Sequence, residues 1–292
     1  MWSAPTSSIE PMKIQTVDYD SSRAGQDFAS SLHDTGFAVL RGHPIPRTLL
    51  DELYADWSAF FASDKKFEFL SNSDSEGGAR AGFFPSQVSE RAVGHSEKDL
   101  KEFFHVVANG PVPLECADNI TQYQELSFTI GASLLGWLQQ HSPQHVTAGL
   151  SEPLPDMLCR GASVLRVLHY PPVQGVEHEN AMRAAAHEDI NLITILPVSD
   201  QPGLQVKDNA GQWINVAGIG GDLVINTGDM MREATGNYYP STTHRVVNPG
   251  GNIENVSRIS IPLFLTARLD VVLSPRYTAG SYLDERLNLI NR

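Results

Sequence analysis

The chain has 292 residues, 41% hydrophobic and 19% charged, enough for one large single-core domain or two modest ones. Its formal net charge of −13 argues against a nucleic-acid or anionic-membrane partner, since both call for basic surface. Two cysteines, Cys116 and Cys159, are too few for a disulfide framework or a cysteine zinc site.

The chain opens MWSAPTSSIEPMK, without the basic flank and apolar run of a signal peptide. From Ser22 to Thr35 apolar residues recur near helical spacing (Ala24, Phe28, Leu32), with Gly36 as the expected C-cap. Gly36 to Gly42, GFAVLRG, reads as a short strand. A second helix follows a proline near its start and carries Leu49, Leu50, Leu53, Trp57 and Phe60 on one side. Ser71 to Ala81 is a polar, glycine-containing loop, expected with Val88 to Asp99 to border a cavity mouth. A further helix is predicted over Asn119 to Gln140, with Tyr123, Leu126, Ile130 and Leu134 inward. Its most apolar part, Phe128 to Leu138, is far too short to span a membrane, so a soluble, cytoplasmic protein of a reducing compartment is expected.

The pattern changes near Ala162. Short β-like runs follow, each closed by turn residues: SVLRVLHY, INLITILP, GLQVKD, QWINVA, DLVINTG, THRVVN and SRISIPLFLTA. Closely spaced strands without intervening helices predict a barrel or two-sheet jelly roll rather than a parallel α/β sheet. GSYLDERLNLINR reads as a closing helix.

Chemistry concentrates where polar groups interrupt these strands. AAAHEDINLITILP puts His187, Glu188 and Asp189 at the mouth of an apolar run, where charges are costly unless paired or bound to metal. In extended chain His187 and Asp189 share a face and Glu188 takes the other, structural or solvent-facing. His244 is the candidate third ligand. Arg258, Ser260, Pro262 and Phe264 share one face of the next strand. A buried arginine there needs an anion, either a bound carboxylate or an internal Asp or Glu. Two histidines and a carboxylate leave cis positions open on an octahedral metal, an arrangement linked to non-haem Fe(II) oxygenases. Zinc hydrolysis is the less fitting alternative, since the His-Glu-x-x-His helix signature is absent from this stretch.

These residues resemble the 2-oxoglutarate- and Fe(II)-dependent dioxygenase superfamily, in its isopenicillin N synthase-like branch. The family's His-x-Asp is similar to His187-Glu188-Asp189, its distal histidine to His244 in HRVV, and its Arg-x-Ser to Arg258-Ile259-Ser260. DTGFAVLRGHPIPRTLLDELYADWSAFF and RAGFFPSQVSERAVGHSEKDLKEFFHV resemble its N-terminal region, so the likeness covers nearly the whole chain. RVLHYPP is similar to the family's Asn-Tyr-Tyr-Pro strand, which makes Tyr170 a co-substrate candidate and puts Leu168 where the family has asparagine.

The resemblance implies a mixed α+β fold, a double-stranded β-helix (jelly-roll) core wrapped by helices after a mostly helical N-terminal part. The expected divisions are 1–115 (N-terminal region), 116–160 (long supporting helix and connection), 161–275 (catalytic core) and 276–292 (C-terminal helix). It implies Fe(II) on His187, Asp189 and His244, and 2-oxoglutarate on Arg258, Ser260 and Tyr170, with O2 as oxidant. Arg166, Leu168 and Phe264 are further cavity candidates, and no separate acid or base is called for. Because Asp189 keeps the position that related halogenases vacate, the implied outcome is hydroxylation, desaturation or ring closure of a small molecule, with succinate and CO2 released. A same-fold Fe(II) oxidase that does not use 2-oxoglutarate, and a metal-binding scaffold without turnover, remain as alternatives.

Overall fold

The computed structural model describes residues 12–71, 80–86, 99–173, 182–199, 201–250 and 254–290. Its strands and helices run β1 (Gln15–Asp18), α1 (Ala24–Thr35), β2 (Phe37–Arg41), α2 (Arg47–Ala62), β3 (Gly82–Phe84), β4 (Glu102–Val106), α3 (Leu114–His141), α4 (Gln144–Thr147) and α5 (Leu154–Met157). The second half holds β5 (Val164–Tyr170), β6 (Ala184–His187), β7 (Ile193–Pro197), β8 (Leu204–Lys207), β9 (Trp213–Asn215), β10 (Leu223–Thr227), α6 (Asp229–Ala234), β11 (His244–Val246), β12 (Arg258–Ser260), β13 (Leu263–Leu265) and α7 (Ala279–Ile290).

Local chemistry explains several boundaries. Gly36 ends α1 at φ 72°, a left-handed conformation open to glycine, and its N–H donates to the Leu32 carbonyl. The third predicted helix starts earlier than the apolar pattern indicates, at Leu114 after Pro113, because its first turn buries only Cys116 and so carries little periodicity. The expected loop over Ser71–Ala81 and the stretch Val88–Asp99 fall largely outside the described residues.

Two sheets face each other. The larger runs β1-β2-β10-β7-β13-β5-β4-β3, with β12 also paired to β5, and the smaller runs β6-β11-β8-β9. The N-terminal region thus supplies α1 and α2, both read from its periodicity, and also four strands of the large sheet.

One face of the large sheet packs on the helices. Leu165 and Val167 of β5, Ile193 and Ile195 of β7, and Ile259 of β12 join Phe28, Trp57, Phe60 and Leu134 in the main core. Each such side chain, fully buried, contributes about 1.5–3 kcal/mol. The other face looks at the small sheet. Phe84, Phe103, Leu168, Tyr170, Ala184 and Val246 fill one end of the space between sheets, and Phe37, Val206 and Val224 form a second cluster there.

AAAHEDINLITILP is two strands rather than one. β6 belongs to the small sheet and β7 to the large one, and residues 188–192 carry the chain across. The apolar run masks the break because residues on both sides of it are buried.

Candidate metal centre and the cavity around it

The site starts where β6 ends. His187 stands opposite His244 in the β6–β11 register, and the ring centroids are 4.4 Å apart. Asp189 follows on the crossing segment. Its Oδ1 lies 3.9 Å from His187 Nε2 and 3.8 Å from His244 Nε2. The three candidate ligand atoms fall within 4.8 Å of one another.

Hydrogen bonds determine which atoms remain available. His187 Nδ1 donates to the Ala185 carbonyl at 2.8 Å, and His244 Nδ1 to the Thr242 carbonyl at 3.1 Å. A carbonyl only accepts, so in the neutral rings each Nδ1 carries the hydrogen and each Nε2 presents its lone pair. Asp189 Oδ2 accepts from Thr194 Oγ1 at 2.6 Å and from Asn226 Nδ2 at 2.7 Å, which leaves Oδ1 toward the rings. Desolvation first, and the charge of His244 second, lower the His187 pKa, although 41% of its side chain is exposed. Burial opposes an ionised Asp189, but His244, His187, Thr194 and Asn226 outweigh it and hold the carboxyl below its usual range. A neutral imidazole beside a carboxylate is the protonation state that a divalent cation needs.

The crossing segment is clamped from behind by the start of α6. Asp229 N–H donates to the Asp189 carbonyl at 2.7 Å, and Gly228 N–H to the Leu192 carbonyl at 3.0 Å. A Cβ on Gly228 would overlap the Asn191 backbone and stand 2.9 Å from the Asp189 carbonyl oxygen. Glu188 turns away from the rings, to Arg232 at 3.1 Å and Thr243 at 3.0 Å.

Further into the roll lies a cationic end. Arg258 pairs in register with Tyr170, and Ser260 with Leu168. Arg258 is 4% exposed, and its guanidinium carbon is 5.4 Å from the Tyr170 ring centroid. Its Nε reaches the Gln201 carbonyl at 3.4 Å and its Nη1 is buried without a hydrogen-bond partner. An internal carboxylate for Arg258, the alternative raised by the sequence, is absent among the described residues. Burial raises the Tyr170 pKa, so its hydroxyl keeps its hydrogen.

Arg166 and Leu168 share the face of Tyr170, as strand alternation predicts. The Arg166 guanidinium lies 4.7 Å from the Phe103 ring centroid and 5.7 Å from that of Phe264, and its Nε donates to His105 Nε2 at 2.7 Å. Leu168 packs with Phe84 and Phe103.

Sequence reasoning missed Thr194, Asn226, Asp99, Lys101 and Arg183. Lys101 Nζ donates to Asp99 Oδ2 at 2.7 Å, and both residues are buried. Asp99 Oδ1 accepts from Ala185 N–H at 2.9 Å, and Leu100 N–H donates to the Met182 carbonyl at 2.9 Å, so residues 99–101 tie the large sheet to β6. The available signal was the charged pair in DLKEFF, next to an aromatic strand.

Comparison with known proteins agrees with this geometry. Residues 161–267 match the model of the 2OG-Fe(II) oxygenase superfamily, and residues 5–126 match that described as non-haem dioxygenase in morphine synthesis N-terminal. A crystallised protein described as an oxygenase, from Shewanella oneidensis, is 46% identical, with a TM-score of 0.85 over 96% of this chain and 99% of that one. Clavatol oxidase claD of Penicillium crustosum is 27% identical over 91% of this chain and 87% of its own length. The match to a 2-oxoglutarate-Fe(II) type oxidoreductase of Aspergillus fumigatus, 37% identical, spans 44% of this chain and 37% of that protein. No helix among the described residues is long and apolar enough to cross a membrane. The chain belongs to the 2OG-Fe(II) oxygenase superfamily and is an oxidoreductase of the dioxygenase type, with Fe(II) as cofactor, 2-oxoglutarate as co-substrate and O2 as oxidant.

Proposed function

We propose that His187, Asp189 and His244 bind the Fe(II), that Arg258, Ser260 and Tyr170 bind 2-oxoglutarate, and that the enzyme hydroxylates, desaturates or cyclises a small organic molecule. One observation carries the assignment. Every other hydrogen-bonding atom of the three candidate ligands is occupied, and the free Nε2, Nε2 and Oδ1 converge on one point. The unpartnered, buried Nη1 of Arg258 supplies the matching demand for an anion.

Both groups fit these residues. Bound there, the iron supplies O2 activation coupled to decarboxylation of 2-oxoglutarate. Thr194 and Asn226 aim Asp189, and the two backbone carbonyls aim the rings. Arg258 and Ser260 donate to the far carboxylate, and the Tyr170 hydroxyl adds a third donor. Phe84, Phe103, Leu168 and Phe264 offer an apolar wall that excludes water, with Arg166 as a polar anchor at its edge. The order of motifs, and the match upstream of the core, support placement in the isopenicillin N synthase-like branch. Two free cysteines and the acidic surface support a reducing, cytoplasmic setting without nucleic-acid partners.

The test needs no prime substrate. Metal-free protein is loaded with Fe(II) without oxygen and titrated with 2-oxoglutarate, following the weak visible charge-transfer band of an Fe(II)-oxoacid chelate. A saturable band is expected in the wild type, with iron retained and the band lost in Arg258→Ala. Iron binding without a band would favour the oxidase that needs no oxoacid, or the silent scaffold.

A further inference from the structure

Arg183 is a second buried guanidinium at the cationic end of the cavity, and none of the motifs above includes it. It directly precedes Ala184, which packs with Tyr170 and Leu168 between the sheets. Only 2% of it is exposed. Its backbone N–H donates to Asn248 Oδ1 at 2.9 Å, and its Nη2 donates to the Val256 carbonyl at 2.7 Å, two residues before Arg258. Its Nε is buried without a partner, as is Arg258 Nη1. Among the described residues neither guanidinium has a carboxylate within ion-pair distance.

The two charges sense each other. Burial first, and the neighbouring Arg258 second, lower the Arg183 pKa. Two adjacent buried cations without a counter-ion are costly, and a bound anion relieves that cost. The Ser260 and Tyr170 hydroxyls likewise have no hydrogen-bond partner among the described residues. Arg258 Nη1, Arg183 Nε and these two hydroxyls make four donors, and a carboxylate offers about four lone-pair positions.

We propose that Arg183 and Arg258 form a two-arginine cradle in which Arg183 Nε donates to the far carboxylate of 2-oxoglutarate. The inference rests on the reading that Arg258 and Ser260 hold this co-substrate. Arg183 adds selectivity for a dicarboxylate over an oxoacid that has no charge at its far end.

The test is anaerobic calorimetric titration of the Fe(II)-loaded protein with two ligands: 2-oxoglutarate, and 2-oxopentanoate, in which a methyl replaces the far carboxylate. Arg183→Met should weaken 2-oxoglutarate about 10- to 100-fold, the range for loss of one buried charged hydrogen bond, and leave 2-oxopentanoate unchanged. Arg183→Lys should recover part of the loss, because it returns the charge without the fork. Unchanged 2-oxoglutarate affinity in Arg183→Met, or equal losses for both oxoacids, would overturn the cradle. The 2-oxopentanoate titration also reports whether the variant cavity is folded. Should 2-oxoglutarate fail to bind the wild type, or bind Arg258→Met as tightly, the underlying co-substrate reading would fall, and the cradle with it.

Discussion

His187 and His244 face each other across β6 and β11, and each turns its Nε2 toward the same oxygen of Asp189, at 3.9 and 3.8 Å. Register thus assembles the site: a short pairing brings together two residues far apart in sequence. A cation bound by the folded state alone stabilises it, by about 2.7 kcal/mol at a hundred times its dissociation constant. Fe(II) added to the metal-free protein under anaerobic conditions should therefore raise its Tm. That rise should vanish in His187→Ala, Asp189→Ala and His244→Ala, each measured by thermal unfolding with and without the metal. A rise that survives any of the three would remove that residue from the ligand set.

Asp189 owes its aim to neighbours that do not touch the metal position. Asn226 and Thr194 pair directly across β10 and β7, and both donate to Oδ2. Asn226→Ala and Thr194→Val should each lower Fe(II) affinity about 10- to 100-fold, the usual scale for residues that orient a ligand. Competition with a chelator of known affinity measures the change, and an unchanged circular-dichroism spectrum shows that the fold persists.

The uneven legibility of the sequence has a physical basis. Arg258-x-Ser260 is a local pattern in which alternation sets the shared face, and the strand runs after Ala162 show their turns in the open. His187-x-Asp189 is legible from its closely spaced polar groups beside an apolar run, although Asp189 lies past the end of β6. Thr194 and Asn226 look like ordinary strand residues until the β7–β10 register puts them opposite each other. Arg183 is defined by Asn248 and Val256, contacts that no local window contains. β3 and β4 escaped for a similar reason, since three and five residues become strands mainly by pairing in series onto β5.

Glu102, at the start of β4, ties the back of the cavity wall together. It accepts from Lys66 Nζ at 3.0 Å and lies 2.7 Å from His169 Nδ1, whose Nε2 is 2.7 Å from Ser257 Oγ. Burial opposes its charge, but the His169 and Lys66 contacts outweigh that and lower its pKa. A carboxylate with a folded pKa below its unfolded value adds stability above the unfolded pKa of about 4.3 and loses it as pH falls through the folded value. Glu102→Gln should cost about 1–3 kcal/mol at pH 7. The gap between variant and wild type in urea unfolding should narrow below about pH 4. A gap that does not change with pH would mean that the glutamate acts by packing alone.

Gly228 offers a steric test of the clamp behind Asp189. Its φ of −108° suits any residue, so conformational strain is not what selects glycine here. Space is: an added Cβ would overlap the Asn191 backbone and press to 2.9 Å from the Asp189 carbonyl oxygen. Relief requires the crossing segment to move away from α6, breaking the 2.7 Å bond from Asp229 N–H to Asp189 and dragging the carboxylate from its place between the rings. Gly228→Ala should cost about 1–3 kcal/mol of stability, as for other overpacked sites. It should also weaken Fe(II) by more than Gly236→Ala does, at a glycine whose added Cβ meets nothing within 4 Å. Because Gly236 sits at φ 58°, its alanine variant pays the backbone penalty without the clash, which separates strain from displacement of Asp189. Equal metal affinities in the two variants would show that the segment carrying Asp189 does not depend on the clamp.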